Sequence, residues 1–155
     1  MSPSKIPVAI KKSENSCKAH GANLTNKRKQ VLSALLQSDR ARSAYELVEY
    51  CKDEFGEILP PMSVYRILDF LQDEYLVHKL KLANKYIACS HITCDHDHGV
   101  MQFLICNSCQ IMKEITISTS TINTLQRDVE NAGFQLATPQ FEINCLCYSC
   151  ENKVA

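Results

Sequence analysis

Tryptophan is absent from this 155-residue chain, and glycine and proline are scarce, at four and five copies. A chain so poor in both, with ordinary apolar content, does not read as a long disordered polypeptide. There is no low-complexity tract and no internal repeat. No apolar run approaches the roughly 20 residues that cross a bilayer, so no membrane partner is expected. The opening, Met1-Ser2-Pro3-Ser4-Lys5, is polar and lacks the pattern of an export signal. Net charge is missing as well: 17 Lys and Arg balance 17 Asp and Glu. That balance alone argues against a strongly basic nucleic-acid binder. Neither Gly-x-Ser-x-Gly nor His-Glu-x-x-His occurs, and no enzyme activity is expected.

Cysteine, by contrast, is abundant, with nine copies. Four of them form two Cys-x-x-Cys pairs, Cys106-Asn107-Ser108-Cys109 and Cys147-Tyr148-Ser149-Cys150. A tight two-residue turn places both sulfurs of a pair on one side of the backbone. Two such turns supply the four thiolates that close a tetrahedron around structural zinc. The competing readings are two disulfides or a redox Cys-x-x-Cys. An odd number of cysteines and no export signal favour reduced thiols, metal and a cytoplasmic location. Cys51 falls on an apolar helix face and reads as a core thiol; Cys17 reads as structural or incidental.

The zero net charge conceals an asymmetry. Residues 1–90 carry 14 Lys and Arg against 10 Asp and Glu, a balance of +4. Residues 91–155 carry 3 against 7, a balance of −4. Two modules with different partners account for this, although ordinary surface variation does so too.

The basic half reads as three helices and a hairpin. Thr25 can cap a helix through Val31, Leu32, Leu35 and Leu36, with Lys27, Arg28 and Lys29 in its first turns. Cations there oppose the helix dipole, a small cost that makes sense if they meet phosphate. A solvated basic turn is the plainer explanation. Ser43 and Glu46 form a capping box before a second helix, whose inner face is Ala44, Leu47, Val48 and Cys51. Pro60-Pro61 opens a third helix with Val64, Ile67, Leu68 and Leu71 inward and Ser63, Tyr65, Arg66 and Asp69 outward. Tyr75–Leu80 and Lys85–Cys89 read as strands joined at Ala83-Asn84. Residues around Lys11–His20 suggest one further helix.

This order makes a winged helix-turn-helix, with its third helix in the major groove of double-stranded DNA. Arg66 is the candidate for a base edge, because a guanidinium pairs bidentately with guanine. Ser63 shares its outward face. Tyr45, Tyr65 and Lys27 or Arg28 are candidates for sugar-phosphate contacts. Glu49 and Lys52 on the second helix form either an i,i+3 surface pair or a link between neighbouring dimers on DNA.

The acidic half reads as a hairpin, Val100–Ile105 and Ile111–Ile117, with the first Cys pair at its tip. Thr121 is expected to cap a helix carrying Ile122, Leu125, Val129 and Ala132 on one face, with Gly133 at its C-terminal cap. Phe134–Leu136 and Phe141–Cys145 read as further strand. This half is too small to bury much core alone, for which metal and dimerisation are the usual remedies.

A second set of donors is scattered over His78, Cys89, His91, Cys94, His96, His98 and Glu114. Mixed nitrogen, sulfur and oxygen donors suit a zinc that exchanges more readily than one held by four thiolates. Each residue also has a bland reading, as a half-buried strand histidine, a solvated loop or an exposed strand carboxylate.

Several segments together carry a resemblance. Leu24-Thr25-Asn26-Lys27-Arg28, Ser43-Ala44-Tyr45-Glu46-Leu47, Ser63-Val64-Tyr65-Arg66-Ile67-Leu68-Asp69-Phe70-Leu71 and Leu76-Val77-His78-Lys79-Leu80 resemble the DNA-binding half of the ferric-uptake-regulator family. Phe103-Leu104-Ile105-Cys106-Asn107-Ser108-Cys109 and the last Cys-x-x-Cys resemble its dimerisation half. Ser-Ala-Tyr, Asp69-Phe70-Leu71 and Val77-His78-Lys79 are similar to its zinc-uptake-regulator branch. The resemblance spans roughly residues 17–150. It implies a homodimeric repressor of zinc-uptake genes that binds its operator when zinc-loaded, with one structural and one regulatory zinc per chain. The structural zinc maps onto Cys106, Cys109, Cys147 and Cys150. The regulatory zinc maps onto His78, Cys89, His98 and Glu114, with His96 as the alternative third donor. An iron- or peroxide-responsive regulator of the same family is the runner-up, ahead of a zinc enzyme or a thiol redox switch. Set against the family's pattern, Met62 looks like an extra residue before the recognition helix.

The expected architecture is therefore α+β. A winged-helix DNA-binding domain covers residues 1–89, and a hinge carrying metal ligands covers 90–99. An α/β dimerisation domain with structural zinc covers 100–155.

Overall fold

Apolar residues at helical spacing build the first half of the molecule. The computed structural model describes residues 2–92, 100–137 and 140–154. The chain divides into two compact units, Met1–Cys94 and Asp95–Ala155. The division falls inside the 90–99 segment, most of which lies outside the described residues.

In the first unit a 3-10 turn over Pro3–Lys5 leads into α1, Ile6–Ala19. This helix is longer than the sequence suggests, because its buried stripe is Ile6, Ala9, Ser13 and Cys17. Small and polar residues hide that periodicity; the buried Ser13 hydroxyl donates back to the Ala9 carbonyl at 2.8 Å. Helix α2, Asn26–Leu36, starts after Thr25 in the N-cap position, but the Thr25 side chain makes no capping bond. Helix α3, Ala44–Phe55, has the expected capping box: Ser43 N–H donates to Glu46 at 2.5 Å and Glu46 N–H to Ser43 Oγ at 3.2 Å. Gly56, at φ 64°, ends it in the left-handed conformation that glycine adopts without a Cβ penalty. Helix α4, Pro61–Asp73, buries Val64, Ile67, Leu68 and Leu71 against α2 and α3.

Strands β1, Val77–Leu80, and β2, Lys85–Ala88, pair antiparallel as the wing. The sequence reading began β1 at Tyr75, but Tyr75 has φ 56° and lies in the turn that follows α4. Arg42 and Tyr86 exchange backbone bonds of 2.9 and 2.8 Å, which tie the wing to the segment before α3. Lys85 Nζ adds a 3.1 Å ion pair to Glu46.

The second unit is a three-stranded sheet in the order β4-β3-β5. Its strands are β3, Met101–Cys106, β4, Met112–Thr116, and β5, Gln140–Cys145. β4 pairs antiparallel to β3, and β5 pairs parallel to it. A crossover is required for the parallel pair, and α5, Thr119–Asn131, lies within it. The cap of α5 is Ser118, not Thr121: Ser118 Oγ accepts Thr121 N–H at 3.3 Å. Gly133, at φ 82°, follows the helix as expected. Phe134–Leu136 is irregular rather than strand. The short helix α6, Tyr148–Val154, closes the described chain.

The two units differ in how much they bury. Buried apolar residues of the first unit come from every helix and the wing. In the second, the described buried residues are Met101, Phe103, Ile105, Cys106 and Cys150. No residue of α5 is buried, although Ile122, Leu125 and Val129 share one half-exposed face.

Candidate metal centre and DNA-binding face

Helix α4 presents its polar residues because its apolar ones are fixed inward. Arg66 is exposed, and Ser63 and Tyr65 are half-buried beside it. Tyr45, in the first turn of α3, is 64% exposed. The two cations at the start of α2 have other engagements. The Arg28 guanidinium lies 3.5 Å from the centre of the Phe70 ring and donates to the Asn23 carbonyl at 2.5 Å. It therefore staples α2 to α4. Lys27 Nζ pairs with Glu57 at 3.4 Å on the surface. Phe70 and Glu57 lie far away in sequence, so local spacing gives no hint of them.

The wing carries the first pair of mixed donors. His78 lies on β1, and Cys89 follows β2, where its N–H donates to Leu76 at 2.9 Å. Their donor atoms lie within 4.8 Å of each other. Cys89 is buried and His78 half-buried. Cys94, His96 and His98 lie outside the described residues. Glu114 lies on β4, opposite Phe103 of β3.

The sulfur centre lies entirely within the second unit. The turn between β3 and β4 brings Cys106 and Cys109 together, and the start of α6 does the same for Cys147 and Cys150. Gln110, at φ 61°, completes the first turn with a 3.0 Å bond to Cys106. Cys150 N–H reaches Cys147 at 2.9 Å in the second. All four Sγ atoms lie within 4.8 Å of one another, and Cys109 and Cys147 are 3.7 Å apart. Zinc–sulfur bonds of about 2.3 Å give a tetrahedron with edges of about 3.8 Å. The four cysteines thus match the donor set and spacing of a closed zinc site.

Residues 19–144 match the model of the Ferric uptake regulator family. The chain belongs to this family. The zinc uptake regulation protein of Escherichia coli K12 is 30% identical to it over 141 residues, spanning 91% of this chain and 80% of that protein. A solved zinc uptake regulator complexed with zinc and DNA superposes with a TM-score of 0.81 at 27% identity, covering 97% of this chain and 98% of its own. Holo XcZur gives 0.74 at 31% identity, covering 92% and 96%.

In this ferric uptake regulator family member the sulfur centre is electrostatically prepared for a cation. The N–H groups of Cys109 and Cys147 point at Cys106 and pull its pKa down to about 6. The Cys150 N–H acts likewise on Cys147, but its three neighbouring thiols and burial outweigh it and push that pKa up to about 11. Sulfurs so close repel a second negative charge, and a divalent cation removes the conflict. Cys145 stands two residues before the second Cys pair. The structure places it directly across from Cys106 in the β3–β5 register, with its thiol 3.5 Å from the Ile143 carbonyl.

Proposed function

We propose that this protein is a zinc-responsive DNA-binding repressor of zinc-uptake genes, with zinc as its co-repressor. The carrying observation is one chain that combines a winged helix, with Arg66 exposed on α4, and a four-cysteine centre. It does so along almost the full length of a zinc uptake regulator complexed with zinc and DNA. It is a regulator rather than an enzyme. A closed sulfur site leaves no coordination position for substrate.

Cys106, Cys109, Cys147 and Cys150 hold the structural zinc. His78, Cys89, His98 and Glu114 hold the regulatory one, two of them already adjacent on the wing. Bound zinc supplies fixed bonds between donors, and no redox chemistry. The regulatory zinc binds the DNA-competent form better and so shifts the population toward it. On α4, Arg66 reads a base edge and Ser63 and Tyr65 flank it, while Tyr45 contacts the backbone. Lys27 reaches phosphate by giving up its surface pair with Glu57, a pair of small worth. Arg28 supports that position from its stack on Phe70.

The working form is a cytoplasmic homodimer. The half-exposed apolar face of α5 and the sparse core of the second unit support this, since a partner supplies the missing burial. Glu49 and Lys52, both exposed on α3, are available for contact between dimers on DNA.

The test is binding of the zinc-loaded protein to promoter fragments of zinc-import genes. Chelation should abolish binding and zinc should restore it. Arg66→Ala should weaken it by about 1–3 kcal/mol while leaving zinc content unchanged. Restoration by ferrous iron but not by zinc would replace this reading with the iron-responsive one.

A further inference from the structure

Met62 is the second residue of α4 and is 65% exposed. Its position is set by the two prolines before it. Pro60 occupies the N-cap position and Pro61 the first helical one, so the helix starts in a fixed place and Met62 stands in its first turn. Arg66 follows four residues later, so the two side chains share one face of the helix. The inward face is already complete with Val64, Ile67, Leu68 and Leu71. Met62 therefore contributes nothing to the core.

An exposed apolar side chain one turn before the guanidinium proposed to read DNA suits a partner with apolar character. On the major-groove edge of a base pair that partner is the C5-methyl group of thymine. The N-terminal residues of a recognition helix are the ones that reach base edges. An unbranched thioether adapts its shape to a small methyl group at close range. We propose that Met62 is a specificity-determining residue that contacts a thymine methyl. Four residues separate it from Arg66, a rise of about 6 Å. Base pairs rise by about 3.4 Å, so the thymine lies about one to two steps from the base pair that Arg66 contacts. This inference rests on the reading of the chain as a DNA-binding regulator.

The test uses a duplex selected from a random library by the zinc-loaded full-length protein. Each thymine of that duplex is replaced in turn by deoxyuridine, which removes only the methyl group. Affinity is then measured for the wild type and for Met62→Gln, a substitution that keeps length and helix propensity. The wild type should lose about fourfold per half-site at one thymine position, the worth of one buried methyl group. Met62→Gln should bind the thymine and deoxyuridine duplexes equally, with unchanged zinc content and unchanged salt dependence. A deoxyuridine penalty of equal size in both proteins would overturn the proposal, as would no penalty at any thymine in the wild type. If the zinc-loaded protein selects no sequence at all, the reading as a DNA-binding regulator fails first, and this inference with it.

Discussion

Tyr75 illustrates how one residue can run against the conformation its position requires. It follows the last turn of α4 and has φ 56°. The Leu76 N–H returns to the Leu71 carbonyl at 2.9 Å, and Tyr75 N–H to Gln72 at 2.9 Å. This is the helix-ending turn in which glycine is favoured, because a Cβ is penalised there. The tyrosine ring is 78% exposed and returns little by packing. Tyr75→Gly should therefore raise the stability of the first unit, by about 0.5–1 kcal/mol. The check is a higher denaturant midpoint at unchanged slope. Cys17 concerns protons rather than backbone. Burial, and then the carboxylate of Glu74, push its pKa from 9.0 up to about 11. The unfolded chain thus releases this proton near pH 9 and the folded one near 11. Stability present below pH 9 should fall as pH rises from 9 to 11. Unfolding curves of Cys17→Ala should lose part of that slope, although the variant is less stable at neutral pH because of the cavity.

The sulfur centre governs a whole set of elements. It joins the β3–β4 turn to α6 in a unit whose described core is otherwise Met101, Phe103 and Ile105. Binding energy at such a site becomes folding energy, about 10–16 kcal/mol apparent in zinc-binding peptides. Cys109→Ser should lose the tightly held zinc together with hydrogen-exchange protection of β3, β4 and β5. Protection in α2, α3 and α4 should remain. Loss in both units would mean that they do not fold independently. Element by element, what the sequence revealed depended on range. Helices α2, α3 and α4 were legible because leucine and valine recur at helical spacing and Ser43 and Glu46 cap one of them. The extent of α1 was not, since its inner stripe includes Ala9 and Ser13. Phe134–Leu136 has the composition of a strand but forms none. The parallel pairing of β5 with β3 joins segments about 40 residues apart, and no local pattern carries it. The same limit applied to the sites. Both Cys-x-x-Cys turns were legible from spacing alone, whereas the partners of Arg28 and Lys27 became visible only in the fold.

For the whole molecule, the account divides the metal work between two sites. The sulfur centre makes a small unit foldable, and the mixed donors make DNA binding respond to zinc. Cys89→Ser separates these roles. It should keep the tightly held zinc and the dimer, and need at least about tenfold more free zinc to bind operator DNA. Loss of the dimer in that variant would show that the division is wrong. Operator affinity should also fall steeply with salt, because each phosphate contact releases counterions. The central claim is tested most directly by measuring zinc per chain and operator binding together through a graded chelator series. The account predicts two zincs per chain at the start. DNA binding should disappear as the first one leaves, while the second remains with the folded dimer. A protein that holds one zinc throughout, or that keeps binding DNA until its last zinc is removed, would contradict it.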